Sequence, residues 1–307
     1  MKVYFKPSQI GLNWAHELTN CFPGVTFESD LLHAYDADVI IATPTFLSKQ
    51  HLEVFTKLRW IQLVTAGFEA ADLDYVFSRH IMVTNAKGVY SIPLAEDIIA
   101  KMLAISRHLR EDYERMNRHC WQAGPIVREL YGSTVGFLGT GSIASEAALR
   151  LRPFGVRLLG YRRTEAKQPE FDEIFVGEAG LEIVLRQSDF VISTLPLNFR
   201  THQLMNYERF QQMKHSAIFI NHGRGDVVVQ EDLIRALENQ IIAGAGLDVT
   251  SPEPLPPESK LWTMKNVLIT PHTASLSDAI YERLYQLIAG NLSRYIKNEE
   301  LHHIINP

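Results

Sequence analysis

The sequence predicts an α/β protein built from two parallel-sheet domains. Short apolar runs alternate with helical patterns along nearly the whole chain, which implies strand–helix–strand units. The alternation comes in two series with one long helical pattern between them. A length of 307 residues also fits two domains at roughly 100–200 residues each.

In the first series, the runs at 2–5 (KVYF), 38–42 (DVIIA), 60–64 (WIQLV) and 81–84 (IMVT) read as buried strands. Segments 11–20, 48–58 and 69–78 read as the helices between them. A single helix is expected over 92–117. Pro93 sits in its first turn, where a missing N–H costs nothing. Ile98, Met102, Ile105 and Leu109 recur at helical spacing. The second series opens with TVGFLG from residue 134, a helix at 142–152 and a strand at 156–161. Strands follow near 189–195, 216–221, 243–247 and 267–270, with helices near 180–187, 206–213 and 230–239. A last amphipathic helix, 276–297, is expected to pack back on the first domain. The resulting division is 1–98 and 274–307 for one domain and 99–273 for the other.

Composition narrows the function. Apolar residues make up 46% and charged residues 21%, which excludes disorder, collagen and coiled coil as the main architecture. A net charge of −5 gives no basic field for nucleic acid or an anionic membrane. Cys21 and Cys120 stand far apart in no metal-like spacing. No metal is expected, and the count fits a reducing cytoplasm. The opening MKVYFKPSQIGLNW lacks the apolar core of a signal peptide, and no apolar run approaches the roughly 20 residues of a membrane helix.

Gly139-Thr140-Gly141-Ser142-Ile143-Ala144 is a G-x-G-x-x-A sequence between an expected strand and an expected helix. Gly139 permits the tight turn, Gly141 lets backbone approach a pyrophosphate, and Ala144 allows close helix packing. The helix N-terminus offers free N–H groups to phosphate. The next strand ends in Arg162-Arg163-Thr164, with no carboxylate before Glu165. A carboxylate would accept from a ribose hydroxyl and repel a 2′-phosphate, whereas arginine holds that phosphate bidentately. The cofactor expected is NADP(H), with NAD(H) the alternative.

Three polar residues follow strands of the second series, where α/β sheets place their chemistry. Arg224 lies in Asn221-His222-Gly223-Arg224-Gly225, Glu253 in Ser251-Pro252-Glu253-Pro254, and His272 in Thr270-Pro271-His272-Thr273. Four of the six residues from 252 to 257 are proline, which stiffens the loop carrying Glu253.

With these residues in place, the chain resembles the D-isomer-specific 2-hydroxyacid dehydrogenases, a family that includes glyoxylate/hydroxypyruvate reductases. The resemblance runs through WIQLVTAGFEAAD, NAKGVYSIPLAED, LYGSTVGFLGTGSIA, STLPLNFRTHQLMN, MKHSAIFINHGRGDVV, AGAGLDVTSPEPLP and NVLITPH, almost the whole chain. The last three segments carry the family's Arg, Glu and His in order. The resemblance implies two Rossmann-like/flavodoxin-like parallel-sheet domains with the active site in the cleft between them. It implies NADPH-dependent reduction of a small 2-oxo acid to the D-2-hydroxy acid. Arg224 would grip the substrate carboxylate and polarise its carbonyl. His272 would be the general acid, with Glu253 on its other ring nitrogen fixing the tautomer. Backbone N–H groups at Ala66 and Gly67 would also hold the carboxylate. Leu195, Pro196 and Thr201 would lie along the cofactor. Asp248 would lie near the nicotinamide or act as a structural acceptor. The helix at 92–117 would support a homodimer.

The chain departs from the family pattern at Ala144, where glycine is commoner, and at His222, where an apolar or small residue often stands. His222 would contact cofactor or fill space. Phe46 and Phe68 would line a tight apolar pocket or belong to the core. No regulatory domain is expected after the last helix. A reductase of larger branched or aromatic 2-oxo acids is one alternative. A dinucleotide-sensing, corepressor-like interaction protein is another, although such relatives carry added surfaces or tails. Formate oxidation is disfavoured because that family usually has Gln where Glu253 stands.

Overall fold

The computed structural model describes residues 1–6 and 12–306. The chain divides into two compact units, Met1–Tyr90 with Ser277–Pro307 and Ser91–Leu276. The sequence reading had put the crossings at 98/99 and 273/274.

The first unit contains β1 (Lys2–Phe5), α1 (Leu12–Cys21), β2 (Thr26–Glu28), β3 (Val39–Ala42), α2 (Lys49–Leu52), β4 (Trp60–Leu63), α3 (Leu73–Ser78) and β5 (Met82–Thr84). Position 11 of the expected first helix lies outside the described residues. The five strands form one parallel sheet in the order β2-β1-β3-β4-β5, a flavodoxin-like order. Strands β3 and β4 are buried throughout, as a sheet covered on both faces requires.

The second unit contains α4 (Ser91–Ser106), α5 (Leu109–Asn117), β6 (Thr134–Leu138), α6 (Ser142–Leu151), β7 (Arg157–Arg162), β8 (Glu173–Val176), α7 (Gly177–Gln187), β9 (Phe190–Ser193), α8 (Tyr207–Gln212), β10 (Ile218–Asn221), α9 (Gln230–Glu238), β11 (Gly244–Leu247) and β12 (Val267–Ile269). Its seven parallel strands run β8-β7-β6-β9-β10-β11-β12. Counted from β6, this is the doubly wound dinucleotide-binding order with one strand added. The chain then returns to the first unit as α10 (Ile280–Ile296).

Three expectations need correction. The helix over 92–117 is two helices, α4 and α5, broken at His108, whose φ of 55° is left-handed. α4 buries Ile98 and Met102 against the sheet, whereas α5 buries none of its residues, so the core does not hold the two in line. The expected helix over 48–58 shrinks to the single turn α2. Strands β2 and β8 were not expected. Both are short edge strands: β2 (TFE) has a single apolar residue and β8 (EIFV) an apolar run of only three, too brief to show a period.

α10 belongs to the first unit through packing and polar bonds together. Leu284, Ile288 and Leu292 join Val3, Phe5, Val39, Ile41 and Trp60 in one core cluster. Under them, Trp60 Nε1 donates to Thr84 Oγ1 (2.9 Å), and Thr84 Oγ1 donates to Gln62 Oε1 (2.8 Å). Asn291 Nδ2 donates to the same Gln62 oxygen (2.8 Å). Each buried polar group therefore has a partner, which burial demands. Among the described residues no helix is long and apolar enough to cross a membrane.

Leu292 is fully buried in this cluster. Leu292→Ala should lower the unfolding free energy by roughly 2–5 kcal/mol in a denaturant titration. A loss below about 0.5 kcal/mol, the range of surface changes, would place α10 outside the core of the first unit.

Candidate active site

In the second unit, strand register decides which loops become neighbours. Leu138 of β6 is level with Tyr161 of β7 and Ser193 of β9. Ser193 is level with Asn221 of β10, Asn221 with Leu247 of β11, and Leu247 with Ile269 of β12. These residues end, or nearly end, their strands. The loops after them therefore leave the sheet along one edge, spanning about 24 Å at roughly 4.8 Å per strand. That row holds the glycine sequence, Arg162, Leu195, Arg224, Asp248 and His272. The topological switch point of the sheet lies between β6 and β9.

At that point Gly139 has φ +91°, a conformation that glycine adopts at no steric cost. Its N–H donates to Tyr161 O (2.9 Å) and its carbonyl accepts from Thr194 Oγ1 (2.9 Å). Gly141 is the N-cap of α6, with no side-chain cap, and a Cβ there would meet nothing within 4 Å. The first amides of α6, beginning at Ser142 and Ile143, therefore have no side-chain cap and stand at the positive end of the helix. Ala144 is fully buried in the α6 packing. The Thr140 hydroxyl is buried without a hydrogen-bond partner, and Gln168 Nε2 donates to the Thr140 carbonyl (2.8 Å). These features fit a pyrophosphate.

Arg162 ends β7, and Arg163 and Thr164 follow it as exposed residues. Leu195 is buried beside Gly139, and Pro196 is exposed after it. Thr201 closes this loop on itself: its Oγ1 donates to Pro196 O (2.6 Å) and accepts from Asn198 N (2.9 Å).

The turn after β10 is held by Asn221, whose Oδ1 accepts from Gly223 N (3.1 Å) and whose Nδ2 donates to Arg224 O (3.1 Å). The half-buried Arg224 side chain donates from Nη1 to Gly223 O (2.9 Å). At Gly225 a Cβ would stand 1.8 Å from Thr250 O, so only glycine lets this turn pack on the loop leading to Glu253. Glu253 Oε1 accepts from Thr250 N (3.0 Å) and its Oε2 pairs with His272 Nδ1 (2.9 Å). Both side chains remain exposed to solvent. They line a cavity of about 350 Å³ with Asp248, Leu255, Trp262 and Thr270.

Asp248 is buried and anchors the His272 loop. Its Oδ1 accepts from Thr270 Oγ1 (2.6 Å), Thr273 N (3.0 Å) and Ala274 N (3.1 Å). Its carbonyl accepts from His272 N (2.8 Å). The bonds of Oδ1 run to this loop, the geometry of a structural acceptor.

Sequence reasoning missed a buried polar cluster on α4. Lys101 is 1% exposed; its Nζ bonds Asp97 Oδ2 and donates to Thr270 Oγ1 (2.8 Å). Asp97 Oδ2 also pairs with His222 Nε2 (2.6 Å). Burial works to raise the Asp97 carboxyl, but the bonds from His222 and Lys101 outweigh it and hold the group below its usual range. Burial pushes the His222 imidazole down, and the Asp97 bond opposes this only in part. His222 Nδ1 is buried with no partner. One signal was available: Lys101 is a charged residue in helical phase with Ile98, Met102 and Ile105, four residues after an aspartate.

Ala66 and Gly67 lie after β4 in the first unit. The Ala66 carbonyl accepts from Asn85 Nδ2 (2.7 Å) and the Gly67 carbonyl from Thr65 Oγ1 (2.7 Å). Phe46 and Phe68 pack against the core of that unit.

The family model for the D-isomer specific 2-hydroxyacid dehydrogenase, NAD binding domain, matches residues 99–274. A glyoxylate reductase of Korarchaeum cryptofilum (strain OPF8) is 32% identical over 278 residues, covering 88% of this chain and 83% of that one. A glyoxylate reductase/hydroxypyruvate reductase of Mus musculus is 37% identical over 248 residues, covering 80% and 76%. The solved D-isomer specific 2-hydroxyacid dehydrogenase from Xanthobacter autotrophicus Py2, in complex with NADPH and MES, superposes with a TM-score of 0.84 at 28% identity, covering 100% and 98%. Likeness of this extent, over a fold and a glycine turn of the kind described, means that the chain belongs to the D-isomer specific 2-hydroxyacid dehydrogenase family, is glyoxylate/hydroxypyruvate reductase-like within it, and is an NAD(P)-dependent oxidoreductase of 2-oxo acids.

Proposed function

We propose that this enzyme reduces a small 2-oxo acid, such as glyoxylate, hydroxypyruvate or a close analogue, to the D-2-hydroxy acid with NADPH. The observation that carries this reading is the His272–Glu253 pair at 2.9 Å. Glu253 accepts from Nδ1, so the doubly protonated ring carries its second proton on Nε2, the nitrogen left for the substrate, and the ring is oriented by a carboxylate as a general acid requires.

When bound, the reduced nicotinamide supplies a hydride to the second carbon of the substrate. As that carbon is reduced, the carbonyl oxygen takes on negative charge. His272 delivers a proton from Nε2 to this oxygen. Arg224 binds the substrate carboxylate and neutralises the developing charge. Ser142 and Ile143 offer their amides to the pyrophosphate at the start of α6, with Gly139 and Gly141 giving it room. Arg162 and Arg163, with Thr164, hold the 2′-phosphate, and no carboxylate in that stretch opposes it. Leu195, Pro196 and Thr201 shape the rest of the cofactor side, and Asp248 holds the His272 loop beside it.

The preference for small substrates draws on the relatives named glyoxylate reductase. Two exposed free cysteines, Cys21 and Cys120, suit a reducing cytoplasm. We also propose a homodimer: Leu109, Tyr113, Met116, Trp121, Ile126 and Tyr131 leave apolar surface exposed along one stretch of the second unit.

His272→Ala should lower kcat by roughly 10²–10⁴-fold and leave NADPH affinity unchanged, read by steady-state kinetics and cofactor titration. Turnover at the wild-type rate would remove His272 from the acid role. Replacing Arg162 and Arg163 together with alanine should weaken NADPH binding by about tenfold or more while sparing NADH, because a charged hydrogen bond is lost. An unchanged NADPH/NADH affinity ratio would show that the arginines do not read the phosphate.

A further inference from the structure

We propose that Asp97, Lys101 and His222 are positioning residues for the reduction, setting from one buried point on α4 both the turn that carries Arg224 and the loop that carries His272. The proposal rests on the roles given above to Arg224 and His272.

The cluster has two arms. Through His222 it reaches the β10 turn: His222 Nε2 is on Asp97 (2.6 Å), and Arg224 follows two residues later. Through Lys101 it reaches the β12 loop. Nζ donates to Thr270 Oγ1 (2.8 Å), which donates to Asp248 Oδ1 (2.6 Å). The same Asp248 oxygen holds the amides of Thr273 and Ala274, the two residues after His272. The aliphatic stem of Lys101 packs on Gly246 of β11, where a Cβ would stand 3.1 Å from Lys101 Cδ. The ammonium is thereby held at a fixed place over the sheet.

Stability alone is a poor reason for such a cluster. Burying an ammonium and a carboxylate is unfavourable unless both are fully bonded, and well-packed apolar residues often serve a core as well or better. What apolar residues cannot do is fix two loops by directional bonds. With Asp97 held ionised and His222 held toward its neutral form, the bond from His222 to Asp97 has one donor and one acceptor. The Lys101–Thr270–Asp248 chain likewise has one direction of donation.

Removing one charge leaves the other buried without its partner, which confuses folding with function. The informative variant is therefore the double change Lys101→Met with Asp97→Asn, which removes both charges at nearly constant shape and keeps an acceptor for His222. Melting temperature, NADPH affinity, KM, kcat and hydrogen exchange at the Thr273 and Ala274 amides would be measured together. The proposal expects a melting temperature and an NADPH affinity close to wild type, with kcat lowered about 10- to 100-fold and KM changed far less. It also expects exchange protection at Thr273 and Ala274 to fall roughly tenfold. Thr270→Val, which cuts the Lys101 arm at its hydroxyl, should give the same pattern if the double variant does not fold. A stable variant with full kcat overturns the proposal, as does unchanged protection at the two amides. If the wild-type enzyme reduces no 2-oxo acid, the functional reading fails, and hydrogen exchange alone decides whether the cluster positions the loop.

Discussion

The site in the second unit depends on one constraint: parallel strands paired in register must end level with one another. Leu138, Tyr161, Ser193, Asn221, Leu247 and Ile269 form that row. Backbone hydrogen bonds and a core buried on both faces set it, since a slip of one residue would turn every apolar side chain to the wrong face. Once the row exists, the glycine turn, the paired arginines, Arg224, Asp248 and His272 leave the sheet on the same edge. Residues separated by more than a hundred positions in sequence come to lie along one edge without any local signal linking them.

The loops on that edge are held by specific polar bonds. Asn221 ties the Arg224 turn, Thr201 ties its own loop, and Asp248 ties the His272 loop. Gly225 allows the Arg224 turn to lie against Thr250, where any side chain would collide. Glu253 then receives both an amide and the His272 ring. Chemistry needs side chains placed to fractions of an ångström, and directional bonds supply that accuracy.

Much of this was legible in the sequence, for physical reasons. Buried parallel strands read as continuous apolar runs, so β3, β4, β9 and β10 were plain. The glycine turn was plain because its spacing follows from phosphate geometry. His272 and Glu253 stand after strands of the second series, and the structure brings them into contact. The edge strands β2 and β8 were not legible, because half-exposed three- and four-residue strands carry no period. The break at His108 was not legible either, since the helical pattern continues through it while the burial does not. His222 was noticed as a departure, but its partner on α4, Asp97, lies 125 positions earlier, and only the folded chain puts the two side by side.

In the proposed reaction this enzyme passes a hydride from NADPH to a small 2-oxo acid. The most direct measurement follows the loss of reduced-nicotinamide absorbance for NADPH and NADH in parallel. The acids would range from glyoxylate and hydroxypyruvate through pyruvate to branched-chain and phenyl-bearing compounds. The expected result is turnover linked to NADPH, fastest with one of the small acids and yielding the D-hydroxy acid where the product is chiral. Tight binding of NADPH with no turnover of any acid would contradict it and would favour a dinucleotide-sensing protein instead.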